Sequence, residues 1–199
     1  MKITKIECHV LLDPEYDPAA TSSAQDDLVV EVHTDEGIVG IGETDLNPWI
    51  ARECIEAPGT HTMDQGLGSM LIGENPLEIE KLWWKAYQAT AMTGRRGALI
   101  NALGAIDMAL WDIAGKAADK PVWQLLGEKS REHLGAYASL QPEVGSFDAY
   151  ITSMVKWAHS AKEMGFRAAK LETTFSGPYA NMGIREDDEK MTEVIRAVR

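Results

Sequence analysis

The stretch Gly97–Gly127, GALINALGAIDMALWDIAGKAADKPVWQLLG, decides the fold. Ile100, Leu103, Ile106, Leu110, Ile113 and Ala117 recur at steps of three and four, the period of one helical face. Ala98, Ala102, Ala105 and Ala109 form a second stripe of small side chains, along which another element can approach the helix backbone. The spacing predicts a long buried helix over Gly97–Ala118. A short turn over Pro121–Leu126 follows, and Gly127 ends it.

Toward the N-terminus, Ile3, Ile6, Val10, Leu11 and Leu12 mark a first strand, which Asp13 and Pro14 interrupt. Asp13–Asp27 is polar and without a period, and is read as a loop. Leu28–Thr34 and Ile38–Thr44 are predicted strands joined by Asp35-Glu36-Gly37, whose glycine can take positive φ. The result is a three-stranded antiparallel meander. Gly37, Gly40 and Gly42 do not follow the order of a phosphate-binding loop and are read as closely packed strand glycines. Helices are predicted over Asn47–Glu56 and Met63–Leu71. Another starts after Asn75-Pro76, where asparagine can cap and proline suits the first turn. Leu77, Lys81, Trp84 and Tyr87 lie along one side of it, and Trp83 and Trp84 are read as packing residues.

After Gly127 the rhythm changes to strand (Leu134–Leu140), helix (Phe147–Met164), strand (Phe166–Glu172) and helix (Glu186–Arg199). That order predicts a parallel βαβα arrangement, with a boundary near Glu128–Glu132. The 199 residues, 45% of them hydrophobic, are ample for a core. They cannot hold this N-terminal region and a complete barrel, which needs about 250 residues itself. A net charge of −12 argues against nucleic acid and anionic membrane surfaces as partners.

The two cysteines, Cys8 and Cys54, are too few for a disulfide framework and are read as reduced structural thiols. The start, MKITKIECHV, alternates and is expected to be neither signal nor anchor, and no window approaches the roughly 20 apolar residues of a membrane span. A cytoplasmic location is expected. His9, His33, His61, His133 and His159 are scattered, with no pair at metal-ligand spacing. Asp107 and Asp112 are read as structural groups of the long helix. The acidic residues of Arg185–Lys190 are read as helix-start charges opposing the macrodipole.

The candidate chemistry lies in Phe166–Glu172. Alternation puts Ala168, Lys170 and Glu172 on one face and Ala169 and Leu171 on the other. The outer face of a barrel packs under helices and is apolar, which turns Lys170 and Glu172 inward at the carboxyl end of the strand. Barrel enzymes place their catalytic groups there. The spacing leaves open an inward ion pair of no catalytic use. Tyr137 and Ser139 face inward by the same alternation, with Ser139 nearer the mouth and Tyr137 also readable as a satisfied core group. Thr173–Gly183 is longer than an ordinary βα connection and can close over the mouth.

The Gly97–Gly127 wording resembles the helix that closes the N-terminal capping domain in the mandelate racemase/muconate lactonizing branch of the enolase superfamily. Members usually end it Leu-Leu-Gly-Gly, where this chain has Glu128 in the last place. The resemblance runs from Lys2 to Arg199. It implies an α+β capping domain over 1–128 and the first two βα units of a TIM-type (β/α) barrel over 129–199, in a chain truncated inside that barrel. Many relatives carry Lys-x-Lys at the position of Lys170 and Glu172, the second lysine being the general base. Here Lys170 matches the first lysine and Glu172 replaces the second.

A carboxylate in that place stabilises the lysine's charge. This favours Lys170 as a cationic contact for a substrate carboxylate or enolate oxygen. Glu172 can orient Lys170, hydrogen-bond a substrate hydroxyl or contact a metal-bound water; a role as base ranks lower. Asp13–Asp27 and Asn47–Trp49 resemble the two cap loops that complete the substrate pocket, with Tyr16 and Trp49 as contacts.

The resemblance implies a parent enzyme that abstracts the proton α to a carboxylate while Mg²⁺ holds the enediolate. The family's Mg²⁺ ligands end the third to fifth barrel strands, outside residues 129–199, so no metal ligand is assigned here. The chain alone is expected to bind no Mg²⁺ specifically, to be inactive and to self-associate. With Lys-x-Glu, an acid-sugar dehydratase is favoured for the parent. A racemase or cycloisomerase of the same family, a non-catalytic cap-fold binding protein and one half of a split enzyme are the alternatives. The expected partners are a small-molecule carboxylate and, for the parent, further copies of itself.

Overall fold

The computed structural model describes residues 1–16, 25–94, 96–127, 131–143, 145–173, 184 and 186–199. The parts 17–24 and 174–183 of the two expected loops, and 128–130 at the expected boundary, lie outside them. The described residues up to 127 form one compact unit and those from 131 onward another.

In the first unit, β1 (Ile3–Leu12), β2 (Asp26–Thr34) and β3 (Val39–Thr44) form an antiparallel sheet in the order β1-β2-β3. Alternation drives it: Leu28, Val30 and Val32 are buried on one face, and the residues between them face outward. The β2–β3 turn closes through Gly37 at φ +80°, with its N–H donating to the Thr34 carbonyl at 3.2 Å. Four helices follow: α1 (Pro48–Glu56), α2 (Ile79–Ala89), α3 (Ala98–Ala118) and α4 (Val122–Leu126). The Asn47 side chain caps α1 by accepting from the Ile50 N–H.

Helix α3 is the centre of this unit. Leu99, Leu103, Ile106, Leu110 and Ile113 are buried, and so are Ala102, Ala105 and Ala109. Its buried stripe therefore begins at Leu99 rather than Ile100, and Ala117 is exposed. The alanine stripe meets β3 at Gly40 and Gly42, where a Cβ would overlap the carbonyl oxygens of Ala109 and Ala105 respectively. The helix also satisfies the outer edge of β3. Asp112 Oδ2 accepts from the Ile41 N–H at 2.9 Å, and Lys116 Nζ donates to the Val39 carbonyl at 2.6 Å. By length and composition α3 could cross a membrane, but here its apolar residues form the core of the unit.

Met63–Leu71 is not a helix but a series of turns. Its backbone N–H groups go to other elements: Gln65 donates to the Ala89 carbonyl, Leu67 to Cys54 and Gly68 to Ile55. A Cβ at Gly66 would overlap the Ala57 carbonyl oxygen, so the segment lies against the end of α1. Asn75 likewise makes a turn, its side chain accepting from the Leu77 N–H at 3.1 Å, and α2 starts only at Ile79. The buried side of α2 is Leu82 and Ala86, with Trp83 and Tyr87 packed against the core. Leu77 and Trp84 are exposed, against the predicted face.

In the second unit, β4 (Ala138–Ser139) and β5 (Ala169–Lys170) pair in parallel. Both are shorter than the predicted strands, because ladder pairing is confined to Ala138 with Ala169 and Ser139 with Lys170. Helices α5 (Phe147–Glu163) and α6 (Asp188–Val198) are capped by the Ser146 and Asp187 side chains. Asp188 and Glu189 occupy the first turn of α6, where negative charge suits the macrodipole. Leu140, Phe147, Tyr150, Met154, Ala161, Ile184 and Val194 make this unit's core.

Candidate functional site

Parallel pairing of β4 with β5 sets Ser139 beside Lys170 on one face of the ladder. On the other face Leu140 is buried and Ala138 and Leu171 are partly so, but Ala169, expected to lie under helices there, is exposed. Alternation then leaves Tyr137, Ser139, Lys170 and Glu172 on the uncovered side, all of them exposed. Lys170 Nζ stands 3.5 Å from Glu172 Oε1, with the glutamate side chain 78% exposed. Such a pair in water is worth about 0–1 kcal/mol, so stability does not account for it. Tyr137 is 59% exposed.

Tyr150 was not singled out in the sequence. It lies on the buried side of α5, and its hydroxyl donates to the backbone carbonyl of Glu172. Burial, and next the Glu172 charge, push its pKa up to about 12, so the phenol stays protonated and fixes the chain at the end of β5. The signal was present in the apolar spacing Phe147, Tyr150, Met154, but nothing local connects that face to residue 172.

The two cap residues lie in the first unit. Tyr16 is exposed, and its N–H closes a turn onto the Asp13 carbonyl at 3.0 Å. Trp49 is exposed in the first turn of α1 and borders a cleft of about 570 Å³. Glu53, Cys54, Asp64, Arg96 and Leu99 also line this cleft, giving it an apolar wall with one guanidinium and two carboxylates at hand. Burial raises the pKa of both thiols, Cys8 to about 12, which keeps them protonated and unreactive. Among the described residues one group of three possible metal ligands occurs, Glu7, Glu31 and His33 on the first unit's sheet.

Residues 5–127 match the N-terminal domain of the mandelate racemase / muconate lactonizing enzyme family. The chain belongs to that family, a branch of the enolase superfamily. It is 31% identical over 169 residues to L-rhamnonate dehydratase of Saccharopolyspora erythraea, a match covering 84% of this chain and 37% of that enzyme. To D-galactarolactone cycloisomerase of Agrobacterium fabrum it is 34% identical over 203 residues, covering 100% of this chain and 48% of the relative. A crystal structure of an enolase-superfamily member from Salmonella Typhimurium superposes with a TM-score of 0.71 at 26% identity, covering 100% of this chain and 51% of that one. The chain thus spans about half the length, or less, of the relatives it matches.

Proposed function

We propose that this chain supplies the capping domain and, over 129–199, the first two βα units of a (β/α) barrel in an acid-sugar dehydratase. The enzyme would take the proton α to the substrate carboxylate and expel a β-hydroxyl as water. The observation that carries this is Lys170-x-Glu172 on the uncovered face of a parallel strand, at the end where barrel enzymes do chemistry. L-rhamnonate dehydratase and a D-galactonate dehydratase family member of Pseudarthrobacter chlorophenolicus, 31% and 33% identical to this chain, support it.

Lys170 is the cation that meets the substrate carboxylate as negative charge develops, an interaction that strengthens once water is excluded. Glu172 holds the ammonium in place and accepts from a substrate hydroxyl. Ser139, its register neighbour's companion on β4, offers a further hydroxyl, and Tyr137 widens the polar face. Tyr16 and Trp49 are the cap's contacts, Trp49 with the Arg96 guanidinium in the same cleft.

The family's chemistry employs Mg²⁺ to hold the enediolate. The described residues do not fit that ion. The carboxylate beside Lys170 is already paired with an ammonium, whereas an octahedral site asks for several oxygens. The second unit holds no group of three ligands among its described residues. No step is therefore assigned to a metal held by this chain. A cytoplasmic, homo-oligomeric enzyme completes the proposal.

The test is turnover of acid sugars by an enzyme that carries this chain as its N-terminal part. Lys170→Ala should lower kcat by at least about 100-fold, the scale of losing one electrostatic contact to the transition state. Wild-type turnover by that variant would leave Lys170–Glu172 a structural pair. The second reading, cycloisomerisation, rests on the 34% identity to D-galactarolactone cycloisomerase. Mass analysis separates the two, since dehydration loses water and isomerisation conserves mass. Ligand binding without turnover would point instead to a binding protein.

A further inference from the structure

The outward face of the β1–β2 ladder holds an arrangement that neither the core nor the proposed chemistry uses. Glu7 and Glu31 are register partners, so two carboxylates stand directly opposite each other. That placement is destabilising unless a cation lies between them. One step along the same face stand His33, opposite Lys5, and on the other side His9, opposite Val29.

His33 Nε2 fills the gap between the carboxylates, 2.9 Å from Glu7 Oε2 and 3.3 Å from Glu31 Oε2. This nitrogen is buried and makes no hydrogen bond. His9 Nε2 approaches the same Glu31 oxygen at 3.4 Å. Lys5 Nζ takes the other Glu7 oxygen, Oε1, at 2.5 Å. Glu7 Oε2 is thereby left turned to the imidazole.

Two oxygens that flank a ring nitrogen are placed as fellow ligands. Donor atoms bound tetrahedrally at about 2.0–2.2 Å lie about 3.3–3.6 Å from one another. The 3.3 and 3.4 Å contacts fall at the short end of that range and the 2.9 Å contact below it, and the ligand atoms of Glu7, Glu31 and His33 all lie within 4.8 Å of one another. Imidazole with carboxylate suits zinc and its neighbours in the first transition row, whereas Mg²⁺ asks for an octahedron of oxygens.

We propose that Glu7, Glu31 and His33 bind a divalent transition-metal ion of the Zn²⁺ class, with His9 turning in as the fourth ligand. The ion neutralises the facing carboxylates and braces β1 to β2. No catalytic part is assigned to it, and it is separate from the Lys170–Glu172 pair in residues, unit and chemistry. Spacing along the chain does not show this site, because strand pairing brings together residues that are far apart in sequence.

The experiment is equilibrium dialysis and calorimetry of the purified chain with Zn²⁺ and, separately, Mg²⁺, followed by Co²⁺ substitution read in the visible spectrum. One Zn²⁺ per chain with micromolar affinity is expected, with the intense visible bands of tetrahedral Co²⁺ and no displacement by millimolar Mg²⁺. Glu31→Gln and His33→Gln, which keep side-chain size, should each weaken Zn²⁺ binding more than about tenfold, a lower bound taken from the loss of a mere outer-shell partner. Far-UV circular dichroism checks that both variants are folded. Glu43→Gln, on the same sheet face but beyond the cluster, should bind as the parent does. The absence of stoichiometric Zn²⁺ binding would overturn the site and leave His33 as a side chain packed between the two carboxylates. Binding that survives in folded Glu31→Gln and His33→Gln would overturn it equally, by placing the ion elsewhere.

Discussion

The two units of this chain differ in where their polar groups end. In the first, β2 is paired along both edges, and the free edge of β3 is satisfied by Asp112 and Lys116 from α3. Its ionisable helix residues serve the backbone. In the second, among the described residues, β4 and β5 pair with each other over two residues, and Lys170 and Glu172 are exposed and paired with each other. The same residue types serve the backbone in one unit and stay exposed in the other. The alanines and the Asp112 and Lys116 side chains of α3 find their partners on β3, about 70 residues earlier in the chain but in the same unit.

The first way to break that comparison is to prise α3 from β3. Gly42→Val puts a branched side chain onto the Ala105 carbonyl. It should destabilise the first unit by about 3 kcal/mol or more and lower its melting transition by at least about 10 °C. An unchanged transition would mean that the alanine stripe and the strand glycines are not in mutual contact.

A smaller effect is expected at the strand edge. Asp112→Ala removes the acceptor for the Ile41 N–H and the partner of Lys116. A loss of about 1–2 kcal/mol is expected, reduced toward the lower figure by the partial exposure of the ion pair. Chemical denaturation measures it, and a loss seen at low salt that vanishes at high salt would assign the effect to charge alone.

The smallest effect sharpens the contrast from the other side. Lys170→Ala should change the stability of the chain by no more than about 0.5 kcal/mol, because its pair is exposed. A loss of several kcal/mol would make Lys170 a structural residue and remove the ground for its catalytic role. Near-wild-type stability together with collapsed turnover in the enzyme carrying this chain is the expected combination.

The long helix and the meander were legible because their signals are periodic. The apolar steps from Leu103 to Ile113 and the alternation of Leu28, Val30 and Val32 each report a buried face directly. Met63–Leu71 misled because Met63, Leu67 and Leu71 keep helical spacing, while the N–H groups of Leu67 and Gly68 are drawn to carbonyls of α1. Trp84 misled because size is not burial: its ring meets Trp83 and Tyr87 at the surface, with centroids 5.1 and 5.8 Å away.

For the candidate site, alternation alone put Lys170 and Glu172 on one face. It could not supply Tyr150, whose hydroxyl reaches residue 172 only through the packing of α5 on the sheet. Nor could it supply the meeting of His33 with Glu7, which depends on the register of β1 with β2. Local pattern reports which way a residue faces, and pairing across the fold reports what it meets.

Hydrogen exchange resolved along the chain tests the contrast between the units most directly. Amides of Leu99–Ala117 and of β2 should exchange slowest, at the rate set by global unfolding of the first unit. Those after Leu134, including Ala138, Ser139, Ala169 and Lys170, should exchange faster by at least about two orders of magnitude. Equal protection from Leu99 through Arg199 would contradict this, and would show that the face bearing Lys170 and Glu172 is as closed as the core of the cap.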